Sequence, residues 1–316
     1  MKKLLSLVLA AVLLMTACIF ASCGSESTIK INPDKQEYNI GICQLMKHES
    51  LDQATQGFID ALTAALEAEG RTVKFDTQVP GEANLCPTVI NTFVANDVDL
   101  IMANATPALL AAANATLSIP VLGTSVTDYD DTFKGDIPEN VTGTSDAVPF
   151  DEQAKMMISS LGLVAGDKVG VIYCTNESNS VIQYEAVKAL FEAEGIVVTA
   201  YTFSETTELQ AITDKAASES KAIYVPSDNT VANADTIVGN VCNEKKVPVF
   251  TSYGGAICYA SLAIDYYELG AETGKMAAEI LLGKTDMTTI DVKTLTPTVM
   301  YNEELCALLG ITVPEN

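Results

Sequence analysis

From residue 38 onward the chain alternates between two hydrophobic rhythms: short unbroken apolar runs, and longer stretches with apolar positions at helical spacing. Tyr38–Gln44 reads as a strand, Leu51–Glu69 as a helix stopped by Gly70, and Thr72–Thr77 as a strand. Leu85–Asn96 is helical, Leu100–Ala103 a strand, a helix opens near Pro107, and Ile119–Leu122 is a strand. The rhythm then restarts. Lys168–Cys174 is a strand, Ser180–Glu194 a helix, and Ile196–Phe203 a strand. Glu208–Ser218 is helical, Ala222–Val225 a strand, Asn229–Glu244 a helix, and Pro248–Thr251 a strand. Strands separated by helices of this length imply βαβ units and parallel sheets.

The two runs also match residue by residue. Ala61–Gly70 (ALTAALEAEG) parallels Ala186–Gly195 (AVKALFEAEG), each a helix ending in a glycine suited to the left-handed position past a helix terminus. Asp99–Met102 parallels Lys221–Tyr224, and Ile119–Leu122 parallels Val247–Phe250. Three matches in the same order make each half one doubly wound α/β lobe. Asp128–Val148, rich in Asp, Gly, Pro and Thr, reads as a connector. Ala260–Tyr266 forms a further strand and Leu269–Leu282 an amphipathic helix, so the chain crosses between lobes more than once and forms a hinge.

The first residues carry a different message. Lys2 and Lys3 precede the apolar stretch Leu4–Phe20, and Ala21-Ser22-Cys23 follows, the pattern of an export signal over residues 1–22. Phe20-Ala21-Ser22-Cys23 is similar to a bacterial lipobox, with Cys23 lipidated and Gly24–Thr28 opening a tether over 23–36; Met15–Cys18 is a second candidate. The sequence holds 18 basic and 41 acidic side chains; without residues 1–22 there are 16 basic and 41 acidic ones, a net charge of −25. So acidic a surface argues against nucleic acid and anionic lipid as partners. Six cysteines remain after Cys18 and Cys23, with no CxxC spacing or histidine neighbours, and read as buried free thiols rather than metal ligands.

Ligands of open parallel sheets bind beyond the carboxyl ends of the strands. That selects Gln44–Leu51, Asn104–Pro107, Gly123–Thr127, Cys174–Ser180 and Pro226–Thr230, together with Ser252–Ile257 and Asp265. In Asn104-Ala105-Thr106-Pro107, Pro107 suits a first helical turn with Thr106 as its cap, and free amides there suit a carboxylate. Asp228 and Asp265 are candidate partners of a ligand ammonium, with capping of the next helix by Asp228 or Asn229 as the alternative. Gln44, Ser125, Asn176, Asn179 and Ser180 supply further polar groups, and Tyr253 is placed to stack on a ring or to cover its loop. His48, the single histidine, reads as a solvent-facing loop residue. There is no GxSxG, Walker loop, HExxH or GxGxxG, and one histidine leaves little room for a triad or a multi-histidine metal centre. No catalytic residue, metal or cofactor is assigned.

Several further blocks stand out in order and spacing: Ile40–Gln44, Ala105–Ala108, Val141–Asp146, Gly170–Tyr173 with Asn179-Ser180, Ala222–Thr230, and Asp265–Gly270 through Gly274–Ala277. Together they resemble the ABC transporter substrate-binding proteins associated with tryptophan and other aromatic amino acids. The resemblance spans 38–316 and implies the type I periplasmic-binding fold, two Rossmann-like lobes joined by three crossovers that close on ligand without catalysis. Ser252–Ala256 departs from the acidic or serine-rich loop expected there. The expected division is 37–124 plus 252–283 for the first lobe and 125–251 plus 284–316 for the second. Hinge segments are expected near 125–148, 251–254 and 284–296. The expected function is capture of a small ligand, an amino acid and possibly an aromatic one, for an ABC importer. The protein would be a monomer on the outer face of the membrane, held there by lipid alone and partnered by a permease. A secreted α/β enzyme with carboxylate chemistry and a ligand-sensing ectodomain are the alternatives.

Overall fold

The computed structural model describes residues 29–314; the expected signal segment and Cys23 lie outside them. In chain order the strands are β1 (Glu37–Gln44), β2 (Thr72–Gln78), β3 (Leu100–Asn104), β4 (Val121–Val126), β5 (Val141–Ser145), β6 (Lys168–Cys174), β7 (Val197–Phe203), β8 (Ala222–Val225), β9 (Val249–Thr251), β10 (Ala260–Ala263), β11 (Lys293–Thr294) and β12 (Thr298–Tyr301). The helices are α1 (Glu49–Ala68), α2 (Cys86–Ala95), α3 (Thr106–Ala115), α4 (Tyr129–Phe133), α5 (Phe150–Leu161), α6 (Ser178–Ala193), α7 (Leu209–Glu219), α8 (Asn229–Asn233), α9 (Asp235–Lys245), α10 (Tyr266–Leu281) and α11 (Glu303–Leu309).

Two sheets of six strands form, ordered β11-β5-β4-β3-β1-β2 and β12-β10-β9-β8-β6-β7. Place for place, β1 to β5 correspond to β6 to β10, so the sequence repeat is a repeat of topology. All pairings are parallel except β10 with β12, which is antiparallel. The central strands β3, β4, β8 and β9 are buried throughout, as strands of a parallel sheet covered on both faces are. The matched helices stop alike: Gly70 and Gly195 take φ of +68° and +75°, and Arg71 and Ile196 send their N–H back to the carbonyls of Leu66 and Phe191.

The sheets correct the expected lobe boundaries. Of the connector expected over Asp128–Val148 only the end, from Asp146, passes between the lobes: β4 runs on to Val126 and β5 adds a further strand to the first sheet. β10, expected in the first lobe, is hydrogen-bonded to β9 in the second, and β11, expected in the second, pairs with β5 in the first. The chain therefore crosses at 146–149, 264–265 and 295–297. The physical reason lies in α10, which returns to the first lobe and packs along α1. Gly270 faces the Ala54 carbonyl and Gly57 the Tyr267 carbonyl so closely that an added methyl would collide with backbone. Leu51, Ala54, Phe58, Leu62 and Leu66, at helical spacing on α1, are all buried; each large side chain contributes about 1.5–3 kcal/mol.

Two smaller differences concern the expected tether and one helix. From residue 29 the chain is docked, with Ile29 and Ile31 on the core under α10 and Lys30 N–H donating to Ser118 O at 2.7 Å. The helix expected over Asn229–Glu244 is two, because Ala234 leaves helical backbone at φ −125°, ψ 26°. The six cysteines among the described residues, Cys43, Cys86, Cys174, Cys242, Cys258 and Cys306, are buried and unpaired.

Candidate functional site: a polar cavity between the lobes

In both sheets the strand order reverses beside the first strand, at β1/β3 and β6/β8, and the loops leaving these strand ends face one another. Between them lies a narrow cleft with a free volume of about 10 Å³, room for about one water molecule and far below the roughly 300–1,000 Å³ of pockets that hold drug-sized ligands. The first lobe lines it with His48, Ser50, Leu51 and Ser125, the second with Ser227, Asp228, Asn229, Ala232 and Tyr253. Asp146 and Tyr266 enter from two of the crossovers. The lobes touch directly around it: Asn233 Nδ2 donates to Lys47 O at 2.7 Å, and His48 Nε2 lies 3.2 Å from Asn229 Oδ1.

Four side-chain atoms lining this cavity are cut off from solvent with no hydrogen-bond partner: His48 Nδ1, Ser125 Oγ, Asp146 Oδ1 and Tyr253 OH. A buried polar atom left unpaired costs about 1–3 kcal/mol, more when charged, so a polar group bonded to any of the four would be stabilised. Asp146 is the decisive one. Tyr266 OH donates to its Oδ2 at 2.8 Å while Oδ1 stays free, and burial pushes its carboxyl above the usual range against the pull of Tyr266 and Thr127. A cationic donor beside it would draw the carboxyl back toward the usual range.

The opposite chemistry is supplied by α1. His48, at its cap position, makes no side-chain cap, and the N–H groups of Ser50 and Leu51 donate to no protein acceptor among the described residues. Ser50 and Leu51 line the cavity, so a 20-residue helix aims free amides and the positive end of its dipole into it. Ser125, which also lines the cavity, takes φ +55° where the β4/β5 register slips between Gly123 and Val126. That bulge turns Ser125 Oγ out of the strand alternation and toward the cavity, a strained conformation of the kind held at binding sites.

The residues expected from sequence divide into three sets. Ser125, Asn229 and Tyr253 line the cavity, with Tyr253 OH free. Asp228 lines it too, but its oxygens are occupied. Oδ1 caps α8 through Val231 N at 2.8 Å, and Oδ2 accepts from Cys174 N at 2.7 Å and Ser180 Oγ at 2.8 Å. The capping role weighed for Asp228 is thus present, through Oδ1. Burial and the neighbouring Glu177 hold its carboxyl well above the usual range. The second set lies behind the cavity wall. Gln44 and Asn104 meet on Thr55, and Asn104 Nδ2 also donates to Leu51 O at 2.9 Å, which fixes the start of α1. Asn179 Nδ2 likewise donates to Ser227 O at 2.7 Å.

The third set stands apart. Thr106 is the first residue of α3 rather than its cap; Ala105 holds the cap position at φ +90°, and neither lines the cavity. Asn176 is exposed in a solvent-open groove on one side, beside Met46 and Thr230. Asp265 is exposed in a second groove, beside Lys47 and Met300, and caps α10 through Glu268 N at 3.0 Å.

Sequence reasoning missed Asp146, Tyr266, Glu177 and the α1 amides. Asp146 was lost inside the expected connector. Only the recognition of β5, a single apolar position amid Thr, Gly and Ser, would have put it at a strand end. Glu177 was hidden in a loop, yet its buried carboxylate accepts from Asn229 N and Nδ2 and from Thr230 N and Oγ1, at 2.7–2.8 Å. His48 is half-buried between the lobes rather than solvent-facing.

Comparison with known proteins agrees with this geometry. The family model for ABC transporter substrate-binding proteins matches residues 39–316. The chain belongs to that family. The tyrosine-binding protein of Clostridioides difficile strain R20291 is 36% identical over 325 aligned positions, covering 98% of this chain and 93% of that protein. A Streptococcus pneumoniae ABC domain solved in complex with L-Trp superposes with a TM-score of 0.80 at 30% identity, over 88% of this chain and 96% of that one. The ligand-free, open structure of a Clostridium difficile substrate-binding protein with adhesive properties, also 30% identical, gives 0.64 over 88% and 97%. As expected from the sequence, the fold is the two-lobed type I periplasmic-binding architecture, seen also in a 5-methylthioribose-binding protein of Thermotoga lettingae at TM-score 0.65 and 14% identity.

Proposed function

We propose that this substrate-binding protein captures an α-amino acid, with an aromatic side chain preferred, and delivers it to an ABC permease for import, without chemical turnover. The observation that carries the reading is the polarity of the cavity: an unpaired buried carboxylate oxygen on Asp146 facing a helix terminus with free amides. A zwitterion answers both. Its ammonium goes to Asp146 Oδ1, and its carboxylate to the Ser50 and Leu51 amides and Ser125 Oγ. Sugars and uncharged nucleosides would leave Asp146 without a cation. The tryptophan complex and the tyrosine-binding relative favour an aromatic side chain, and Tyr253 and Tyr266 offer rings to pack on it.

Two features support a closed arrangement of the lobes: the direct bonds across the cavity, and the better superposition on the tryptophan complex than on the open protein at equal identity. In this reading the closed lobes are the surface offered to the permease, and the protein works as a monomer outside the cytoplasm. Among the described residues no helix is long and apolar enough to cross a membrane, and a lipidated Cys23 would supply the anchor. Labelling with a fatty-acid analogue checks the anchor: C23A should abolish incorporation and C18A should not.

The ligand reading is tested by thermal shift with the twenty amino acids, nucleosides and sugars. A ligand at a hundred times its Kd raises stability by about 2.7 kcal/mol, so L-tyrosine or L-tryptophan should raise Tm by several degrees. Stabilisation by a sugar or nucleoside alone would exclude the amino-acid reading.

A further inference from the structure

The free nitrogen of His48 is not explained by a zwitterion held only at Asp146 and the α1 amides. Its chemistry can be derived from the bonds behind it. The Glu177 carboxylate only accepts, and it receives Asn229 Nδ2 at 2.7 Å as well as Asn229 N, Thr230 N and Thr230 Oγ1. That bond fixes the Asn229 amide with its nitrogen toward Glu177 and its oxygen outward, 3.2 Å from His48 Nε2. An amide oxygen cannot donate, so the hydrogen in the second bond belongs to His48 Nε2. Burial lowers the His48 pKa, ahead of the opposing pulls of Asn229, Glu177 and Asp52, and so favours the neutral ring. A neutral imidazole carries one N–H. Nδ1 is then a bare acceptor, shut off from solvent, unpaired, and on a residue that lines the cavity.

We infer that His48 is a ligand-contacting residue: Glu177, acting through Asn229, holds its ring in the Nε2–H tautomer, so that Nδ1 and Asp146 Oδ1 together accept the ligand ammonium. The inference rests on the amino-acid reading above and deepens it. An ammonium has three N–H donors, and one carboxylate oxygen leaves two of them unmet. Because His48 comes from the first lobe and Asn229 from the second, the tautomer is set only when the lobes meet. Closure therefore completes the ammonium site. Glu177 and Asn229 are positioning residues in this scheme, since the ligand is held by the nitrogen they orient.

Two substitutions separate the two ends of the ring. In H48N the amide oxygen stands near the place of Nδ1, so a cavity-facing acceptor is kept and the interlobe donor is lost. In H48Q the amide nitrogen stands near the place of Nε2, so the interlobe donor is kept and the cavity-facing acceptor is lost. Calorimetric titration with L-tyrosine and L-tryptophan should show H48Q weakened on the order of tenfold or more, and H48N weakened less than H48Q. Melting curves of the ligand-free variants control for folding. Affinity of H48Q equal to wild type, or H48N weakened more than H48Q, would mean that His48 only latches the lobes and would overturn the inference. Tag-free protein has a single imidazole, so its nitrogen-15 spectrum reads the tautomer directly. The expectation with ligand bound is a protonated Nε2 and an unprotonated Nδ1; a protonated Nδ1 overturns the inference. Wild-type protein that binds no amino acid overturns the amino-acid reading and the shared ammonium site together, whereas binding with H48Q unaffected overturns the role of His48 alone.

Discussion

Asp146 concentrates the site's chemistry, because one oxygen is satisfied by Tyr266 and the other is buried without a protein partner on a residue that lines the interlobe cavity. D146N keeps the shape and removes the charge. A hydrogen bond to a charged group is worth about 1.5–3 kcal/mol, so affinity for L-tyrosine should fall on the order of tenfold to a hundredfold by calorimetry. The sign of the pH dependence follows from burial. The Asp146 carboxyl is raised above the usual range in the ligand-free protein, and a ligand ammonium draws it back down. Binding should then release protons at pH values near the raised value, and affinity should fall as pH drops through it. Titrations in buffers of different ionisation enthalpy read this release. For folding the sign is opposite: an acid with a raised native pKa favours the folded state below its unfolded value, and that contribution is lost as pH rises through the native one. Residue-level chemistry was the least legible part of the sequence. Asp228 and Asp146 are both single aspartates at strand ends, and only the contacts show that both oxygens of Asp228 accept protein bonds while Asp146 Oδ1 accepts none.

At the scale of elements, α1 does two jobs: it seals the first lobe against α10 and aims its amino end at the cavity. The seal depends on glycine. At Gly270 an added methyl would meet the Ala54 carbonyl backbone, which cannot move aside as a flexible side chain would. G270A should therefore destabilise the protein by about 1–3 kcal/mol, read as a lower midpoint in denaturant. Gly70, with open space around its missing side chain, gives a contrast, since G70A is strained only by its φ of +68°. A displaced α1 should also weaken ligand binding in G270A, because the Ser50 and Leu51 amides move with the helix. Elements were legible where period and length agreed, as in α1, α6 and β6. They failed at β5, whose Thr-Gly-Thr-Ser carries no apolar run yet is buried at every position. Sequence pattern reports hydrophobicity, whereas β5 is buried by its place in the sheet, with Thr144 Oγ1 within hydrogen-bond distance of Thr124 Oγ1 and Thr273 Oγ1.

For the whole molecule, the repeat legible in Ala61–Gly70 and Ala186–Gly195 is realised as two sheets of matching order. Which lobe owns a late segment was not legible, because a crossover leaves no local signature and is decided by where α10 finds a partner surface. With three crossovers as the connection, the lobes can swing apart, and the bonds His48–Asn229 and Asn233–Lys47 mark the surface that parts. Solution scattering should show a larger radius of gyration without ligand than with L-tyrosine, while a mixture with an uncharged sugar should leave it unchanged. The most direct test is a crystal structure grown with L-tyrosine or L-tryptophan. The account places the ligand in the interlobe cavity, its ammonium within hydrogen-bond distance of Asp146 Oδ1 and its carboxylate on the Ser50 and Leu51 amides. Ligand density in either outer groove with the cavity empty, or a ligand turned so that its carboxylate faces Asp146, would contradict it.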